Sequence, residues 1–141
     1  MQTDMVIDRI ARIREKANAF ILAELARRGV TGLVPSHGSI LAQLYRFGPL
    51  PMGRLAEGIR RKKNTVTTLV RKLEAAGYVT CAKDKNDSRV TLVAPTAKAE
   101  AFREDFLAIS RSLLDRVWAG VPEAEREALM GTLARLEANL D

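Results

Sequence analysis

Asn64, Thr65, Thr67 and Thr68 crowd four short polar side chains onto one stretch of chain, and Arg71 follows close behind. A helix carrying such residues can lie deep in the major groove of duplex DNA, because short side chains let the backbone approach the base edges. Asparagine pairs with adenine N6 and N7, a threonine methyl packs on the thymine methyl, and arginine grips guanine O6 and N7. Arg71 suits either a guanine or a phosphate. Arg60, Arg61, Lys62 and Lys63 stand just before these residues and Lys72 just after Arg71. Cations there suit phosphate contacts, which set register without reading sequence. A Lys/Arg run by itself is as often a solvated face; a position between two short helices favours the nucleic-acid reading. Threonine is a mediocre helix former, so three of them on an exposed face are costly without a use. Farther on, Lys85, Asn86, Asp87, Ser88 and Arg89 form a turn-rich segment. Arg89 is the candidate for a narrow, A/T-rich minor groove, with Asp87 holding its guanidinium in one rotamer.

The charge is aimed at these residues. The stretch Arg54 to Arg89 holds ten Lys or Arg against four acids, a surplus of six, and the whole chain also sums to +6. The rest of the chain is therefore neutral, with 13 basic and 13 acidic groups. A surplus confined to one segment points to a polyanionic partner rather than to general solubility. Only 5% of residues are aromatic, which argues against a base-stacking surface for single strands and leaves double-stranded DNA as the partner.

Apolar periodicity supplies the elements that would position these groups. Val6, Ile10, Ile13, Ala17, Phe20, Ile21 and Leu25 recur every three or four positions from about Asp4 to Arg27, a helix with one apolar face that Gly29 stops. A second helix is expected from Pro35 or Ser36 to Gly48-Pro49. A compact one follows from Met52 to about Ile59, and the reading helix from about Lys63 to Ala76, stopped by Gly77. Tyr78 to Ala82 and Val90 to Ala94 read as the strands of a hairpin whose tip is KDKNDSR. A long helix should run from Pro95-Thr96 to about Trp118, and a last one should open with Pro122 in its first turn and carry Leu129, Leu133, Leu136 and Leu140.

In this order, LAEGIRRKKNTVTTLVRKLEAAGYVT and the wing segment DKNDSR make the chain resemble the multiple-antibiotic-resistance regulator (MarR) family of bacterial transcription factors. The first segment is similar to that family's reading helix and its Leu-Glu-x-x-Gly-Tyr/Leu-Val stop; Asp87 to Arg89 is similar to its Asp-x-Arg wing tip. The resemblance implies a mainly α winged helix-turn-helix with a small β-hairpin wing. It also implies a homodimer on a pseudo-palindromic operator, commonly released by a small effector of the aromatic-acid type. The expected division is an N-terminal dimerisation helix over residues 1–33, the DNA-binding domain over 34–95 and C-terminal dimerisation helices over 96–141, all one integrated unit. Ile10, Ile13, Phe106, Leu113, Leu129, Leu133 and Leu136 are the expected dimer core, and Trp118 and Phe102 are assigned there too, since long apolar stripes must bury against something.

His37, the only histidine, falls in the first turn of the second helix, where the dipole disfavours a cation and so favours the neutral ring. It is expected at the surface or an interface, or else lining an effector pocket between the helix layer and the reading head. Cys81, the lone cysteine, reads as a small buried hydrophobe ahead of a redox sensor. One His, one Cys and no Gly-rich phosphate loop or metal-spaced cluster argue against an enzyme, a metal site or a cofactor. The charge-broken N-terminus and the lack of a long apolar run suggest a cytoplasmic protein without a membrane partner. Two rival readings keep the fold, as a protein-interaction module docking an acidic partner or as a non-specific architectural DNA binder.

Overall fold

The computed structural model describes residues 2–141. After a 3-10 turn at Thr3–Met5, α1 (Val6–Arg27) ends where Gly29 turns left-handed, with φ +70°. There the Gly29 and Val30 N–H groups donate back to Ala26 and Leu25, a closure that costs glycine little because it lacks Cβ. α2 (Pro35–Phe47) starts on Pro35, so Ser36 lies inside the helix and does not cap it. β1 (Leu50–Pro51), α3 (Met52–Ile59), α4 (Lys63–Ala75), β2 (Val79–Lys83) and β3 (Thr91–Pro95) follow, then α5 (Ala97–Val117) and α6 (Glu123–Ala138). Pro122 takes the cap position of α6, just outside its first turn. Of the described residues, 2–109 form one compact unit and 110–141 a second. Among the described residues, no helix is long and apolar enough to cross a membrane.

Both wing strands start one residue later than expected, for a hydrogen-bonding reason. Tyr78 spends its N–H on the Leu73 carbonyl to close α4, and Val90 spends its backbone on Asp84 and Asp87 to close the wing turn. The sheet also exceeds the expected hairpin. Leu50 pairs with Val93 and Pro51 with Leu92, so β1 adds a third antiparallel strand in the order β1-β3-β2.

The first unit packs around Ile40, Leu41 and Leu44 of α2, Leu55 of α3, Val66, Val70 and Leu73 of α4, and Val79 and Val93 of the sheet, all at most 2% exposed. The sequence assigned Phe106 and Phe102 to a dimer core; they belong to this core instead. Phe102 is buried, and Phe106 packs edge-to-face on Tyr45 at 5.1 Å and on Phe102 at 6.4 Å, while Phe102 meets Tyr78 at 5.8 Å. The reason is that the first turns of α5 are tied to α2 and to the end of α4. Tyr45 donates its hydroxyl to the Ala99 carbonyl at 2.6 Å, and Arg103 donates to the Tyr45 carbonyl at 2.9 Å. Lys98 donates to the Ala76 carbonyl at 2.7 Å and Thr96 to the Gly77 carbonyl at 2.6 Å. Arg28, at the end of α1, joins α5 through Asp105 at 3.3 Å and also bonds Glu24 at 2.5 Å, which holds the Glu24 carboxyl below the usual carboxylate range.

Burial pushes the Tyr45 hydroxyl up to about 12, so it stays a donor at any working pH. Tyr45→Phe keeps the ring contact with Phe106 and removes only the bond to Ala99. The expected loss is about 1 kcal/mol, or a melting temperature lower by about 3 °C, read by circular dichroism. An unchanged melting temperature would contradict a buried bond there.

Candidate nucleic-acid interface

α4 is oriented by its apolar face. Val66, Val70 and Leu73 are fully buried. Positions spaced four and three apart share a helix face, so Asn64, Thr68 and Arg71 form the outward stripe, and all three are exposed. Thr65 and Lys72 are also exposed, on one flank of that stripe, whereas Thr67 on the other flank is half-buried. Thr67 donates its hydroxyl to the Lys63 carbonyl at 2.9 Å and Thr68 to the Asn64 carbonyl at 3.1 Å.

The turn into α4 is built without glycine. Arg60 adopts φ +53°, the only positive φ of a non-glycine among the described residues. Its N–H bonds the Glu57 carbonyl at 3.2 Å while the Arg61 N–H bonds Ala56 at 3.1 Å, the same closure that glycine makes at the end of α1. For an L-residue this conformation costs roughly 1–2 kcal/mol, a strain that places a long cation where glycine would have none. Lys62 is the N-cap of α4 and provides no side-chain cap. The first-turn N–H groups and the positive end of the helix dipole thus combine with Lys62 and Lys63 into a strongly positive entrance.

The wing tip is ordered by its own carboxylates. Asp84 accepts from the Asn86 N–H at 2.9 Å, and Asp87 accepts from the Arg89 N–H at 3.1 Å. Asp87 also takes Arg89 in a two-pronged pair, Nε to Oδ1 at 3.1 Å and Nη2 to Oδ2 at 3.3 Å. That pairing lowers the Asp87 pKa, through the Arg89 side chain first and its backbone N–H second. The Arg89 side chain remains 89% exposed. Lys85, Asn86 and Ser88 stand exposed beside it.

Between α4 and the wing runs a groove of about 680 Å³ whose walls include Arg54, Lys63, Arg71, Lys83 and Arg89, against the acids Glu57 and Asp84. Lys63, Arg71 and Arg89 were expected from sequence. Arg54 and Lys83 were counted only in the charge surplus; a cation in the first turn of α3 and another at the end of β2 become site residues only once the sheet folds against α4. Cys81, half-buried, lines the same groove. Burial and the neighbouring Glu74 raise its pKa, which keeps it a thiol rather than a reactive thiolate.

His37 departs from the surface position expected of it, since it is 1% exposed. Its Nδ1 accepts from the Val34 N–H at 3.1 Å, which ties the start of α2 and leaves the proton on Nε2 in the neutral ring. Among the described residues Nε2 has no hydrogen-bond partner. His37 does not line the groove described above. Its pKa is lowered as expected, although burial is the first cause, with the charge of Lys72 second.

The remaining apolar candidates lie outside these cores. Ile10 and Ile13 are exposed on α1 together with Val6 and Ile7. In the second unit Leu129 is exposed and Leu113, Leu133 and Leu136 are half-buried. Arg126 there covers Trp118, its guanidinium 5.6 Å from the ring centre, and bonds the Val121 and Trp118 carbonyls.

Comparison with known proteins matches these elements. A sequence profile described as the MarR family fits residues 33–91. The HTH-type transcriptional regulator YcgE of Bacillus subtilis is 32% identical over 103 residues, 72% of this chain and 67% of its own length. The crystal structure of a probable transcriptional regulator from Pseudomonas aeruginosa superposes with a TM-score of 0.71 at 30% identity, covering 93% of this chain and 98% of that one. BpsR of Bordetella bronchiseptica, whose DNA binding is regulated by 6-hydroxynicotinic acid, shares the fold with a TM-score of 0.80 at 18% identity, over 96% and 93% of the two chains.

The buried His37 yields a pH test. Its folded pKa lies below 6.5, so between that value and 6.5 the unfolded chain binds a proton that the folded chain refuses. Stability is then fully present above pH 6.5 and is lost as pH falls below it. The urea midpoint should drop between about pH 7.5 and 5.5. In His37→Gln, which retains an acceptor for the Val34 N–H, the two midpoints should agree; an equal drop in both proteins would assign the effect to other groups.

Proposed function

This chain belongs to the MarR family of transcriptional regulators, and on that premise we propose that it represses transcription as a homodimer bound to a pseudo-palindromic operator. The observation that carries the proposal is the basic groove. Lys63 and Arg71 of α4 and a guanidinium pinned at the wing tip line a channel with five cations and two acids on its walls, beside the exposed Asn64 and Thr68. Asn64, Thr65, Thr67, Thr68 and Arg71 are assigned to bases in the major groove. Arg60, Arg61, Lys62, Lys63 and Lys72 are assigned to phosphates. Lys85 to Arg89 are assigned to the minor groove, where the Asp87 pair presets the arginine.

Two copies would place their reading helices in successive major grooves, with half-site centres about 10 bp apart. The uncovered Ile10 and Ile13 of α1 and the Leu129 of α6 support the dimer, since solvated stripes of this kind need a partner surface. In this reading residues 1–33 and 96–141 serve dimerisation and 34–95 serve DNA. Release by a small aromatic acid belongs to the same proposal. It is supported by the effector of BpsR; the Nε2–H of His37, unpartnered among the described residues, is the donor such a ligand would take if the core around it opened. The effector acts only by binding one half-site spacing better than the other.

Selection from a randomised duplex library at two salt concentrations tests this reading. A pseudo-palindrome with half-sites one turn apart is the expected product; uniform recovery would indicate an architectural binder, and no recovery an interaction module. On the selected operator, Arg89→Ala and Lys63→Ala should weaken binding to all DNA and each flatten the salt slope by about one. Asn64→Ala should cost about 1–3 kcal/mol on the operator and little on random DNA.

A further inference from the structure

The two threonines nearest the centre of the reading face have already spent their donors. A threonine hydroxyl carries one hydrogen. That of Thr68 goes to the Asn64 carbonyl at 3.1 Å and that of Thr67 to the Lys63 carbonyl at 2.9 Å. Neither can donate to guanine O6 or N7, adenine N7 or thymine O4 without breaking a helix-internal bond. What Thr68 has left for a partner is the acceptor side of its hydroxyl and its γ-methyl, the methyl held in one rotamer because the hydroxyl hydrogen is tied to the backbone. Thr67 is half-buried on the groove side, whereas Thr68 is exposed between Asn64 and Arg71.

Of the four bases, thymine alone presents a methyl group in the major groove. We propose that Thr68 is a specificity-determining residue that reads the 5-methyl group of thymine through its own γ-methyl, one helical turn beyond an adenine read by Asn64. This rests on the DNA-binding reading given above. Four residues of helix advance about 6 Å, between one and two base steps of 3.4 Å, so the adenine and the thymine stand within two steps of each other in each half-site. The mode of reading is steric and apolar at Thr68 and hydrogen-bonded at Asn64, and the half-site is defined by A·T pairs at its centre.

The test replaces the thymines of the selected operator by deoxyuridine one at a time and measures binding of the full chain by fluorescence anisotropy. At one position in each half-site the substitution should lower affinity roughly fourfold, the factor one buried methyl is worth. Thr68→Val, which keeps a methyl and loses the hydroxyl, should retain the preference for thymine over deoxyuridine. Thr68→Ser, which keeps the hydroxyl and loses the methyl, should bind the two duplexes equally. A circular dichroism spectrum and melting temperature matching those of the parent chain show that the fold of each variant is intact. Tight operator binding indifferent to every deoxyuridine overturns the proposal, as does a preference lost in Thr68→Val and kept in Thr68→Ser. Uniform recovery with no operator selected overturns the operator reading on which this proposal rests, and no recovery at all overturns DNA binding itself.

Discussion

Val66, Val70 and Leu73, buried without measurable exposure beside Leu55 and Leu44, set the rotation of α4 about its own axis. A helix seated by three side chains on one face has little freedom to roll, since exposing any one of them would cost about 1.5–3 kcal/mol. The opposite face is then determined to within a few tens of degrees. It holds Asn64, Thr68 and Arg71, and the neighbours at 65, 67 and 72 become flanks rather than equals. Base readout tolerates little misplacement, so this apolar seat underlies every assignment made to the outward face.

The two ends of the same helix are treated differently. At the C-terminal end Gly77 takes the left-handed turn with φ +86°, and Thr96, just ahead of α5, and Lys98 of α5 reach across to the Gly77 and Ala76 carbonyls. At the N-terminal end Arg60 occupies the equivalent left-handed position of α3, and no side chain caps α4. One end is closed by protein groups; the other is strained, uncapped and lined with cations. A phosphate would satisfy the open end both by charge and by hydrogen bonding to its free N–H groups.

The wing works by the same economy. Its two aspartates do not oppose the basic field so much as shape it: Asp84 bends the turn and Asp87 fixes Arg89 while leaving that guanidinium almost wholly solvated. An arginine already held in place loses less side-chain entropy on entering a narrow groove than a freely rotating one would.

Much of this was legible from sequence because it is local. Apolar spacing located α1 to α6, Gly77 and Gly29 marked two helix ends, and the residues Asp87 and Arg89, two positions apart, announced their own pairing. The charge surplus identified the basic segment before any fold was known. Other features depended on which surfaces meet, and no short stretch of chain encodes that. Phe102 and Phe106 have the spacing of a free stripe, yet Tyr45 of α2 and Tyr78, just ahead of β2, come to pack on them. His37 reads as a polar residue in a helix first turn, yet it is the start of α2 that the core encloses. Leu50, whose extended conformation the sequence implies, joins a sheet only because Val93 arrives beside it. Arg54 and Lys83 join the groove through the packing of the sheet on α4. Periodicity, capping and charge are properties of a few neighbouring residues and survive in the bare sequence; burial and convergence are sums over distant segments, and only the folded chain evaluates them.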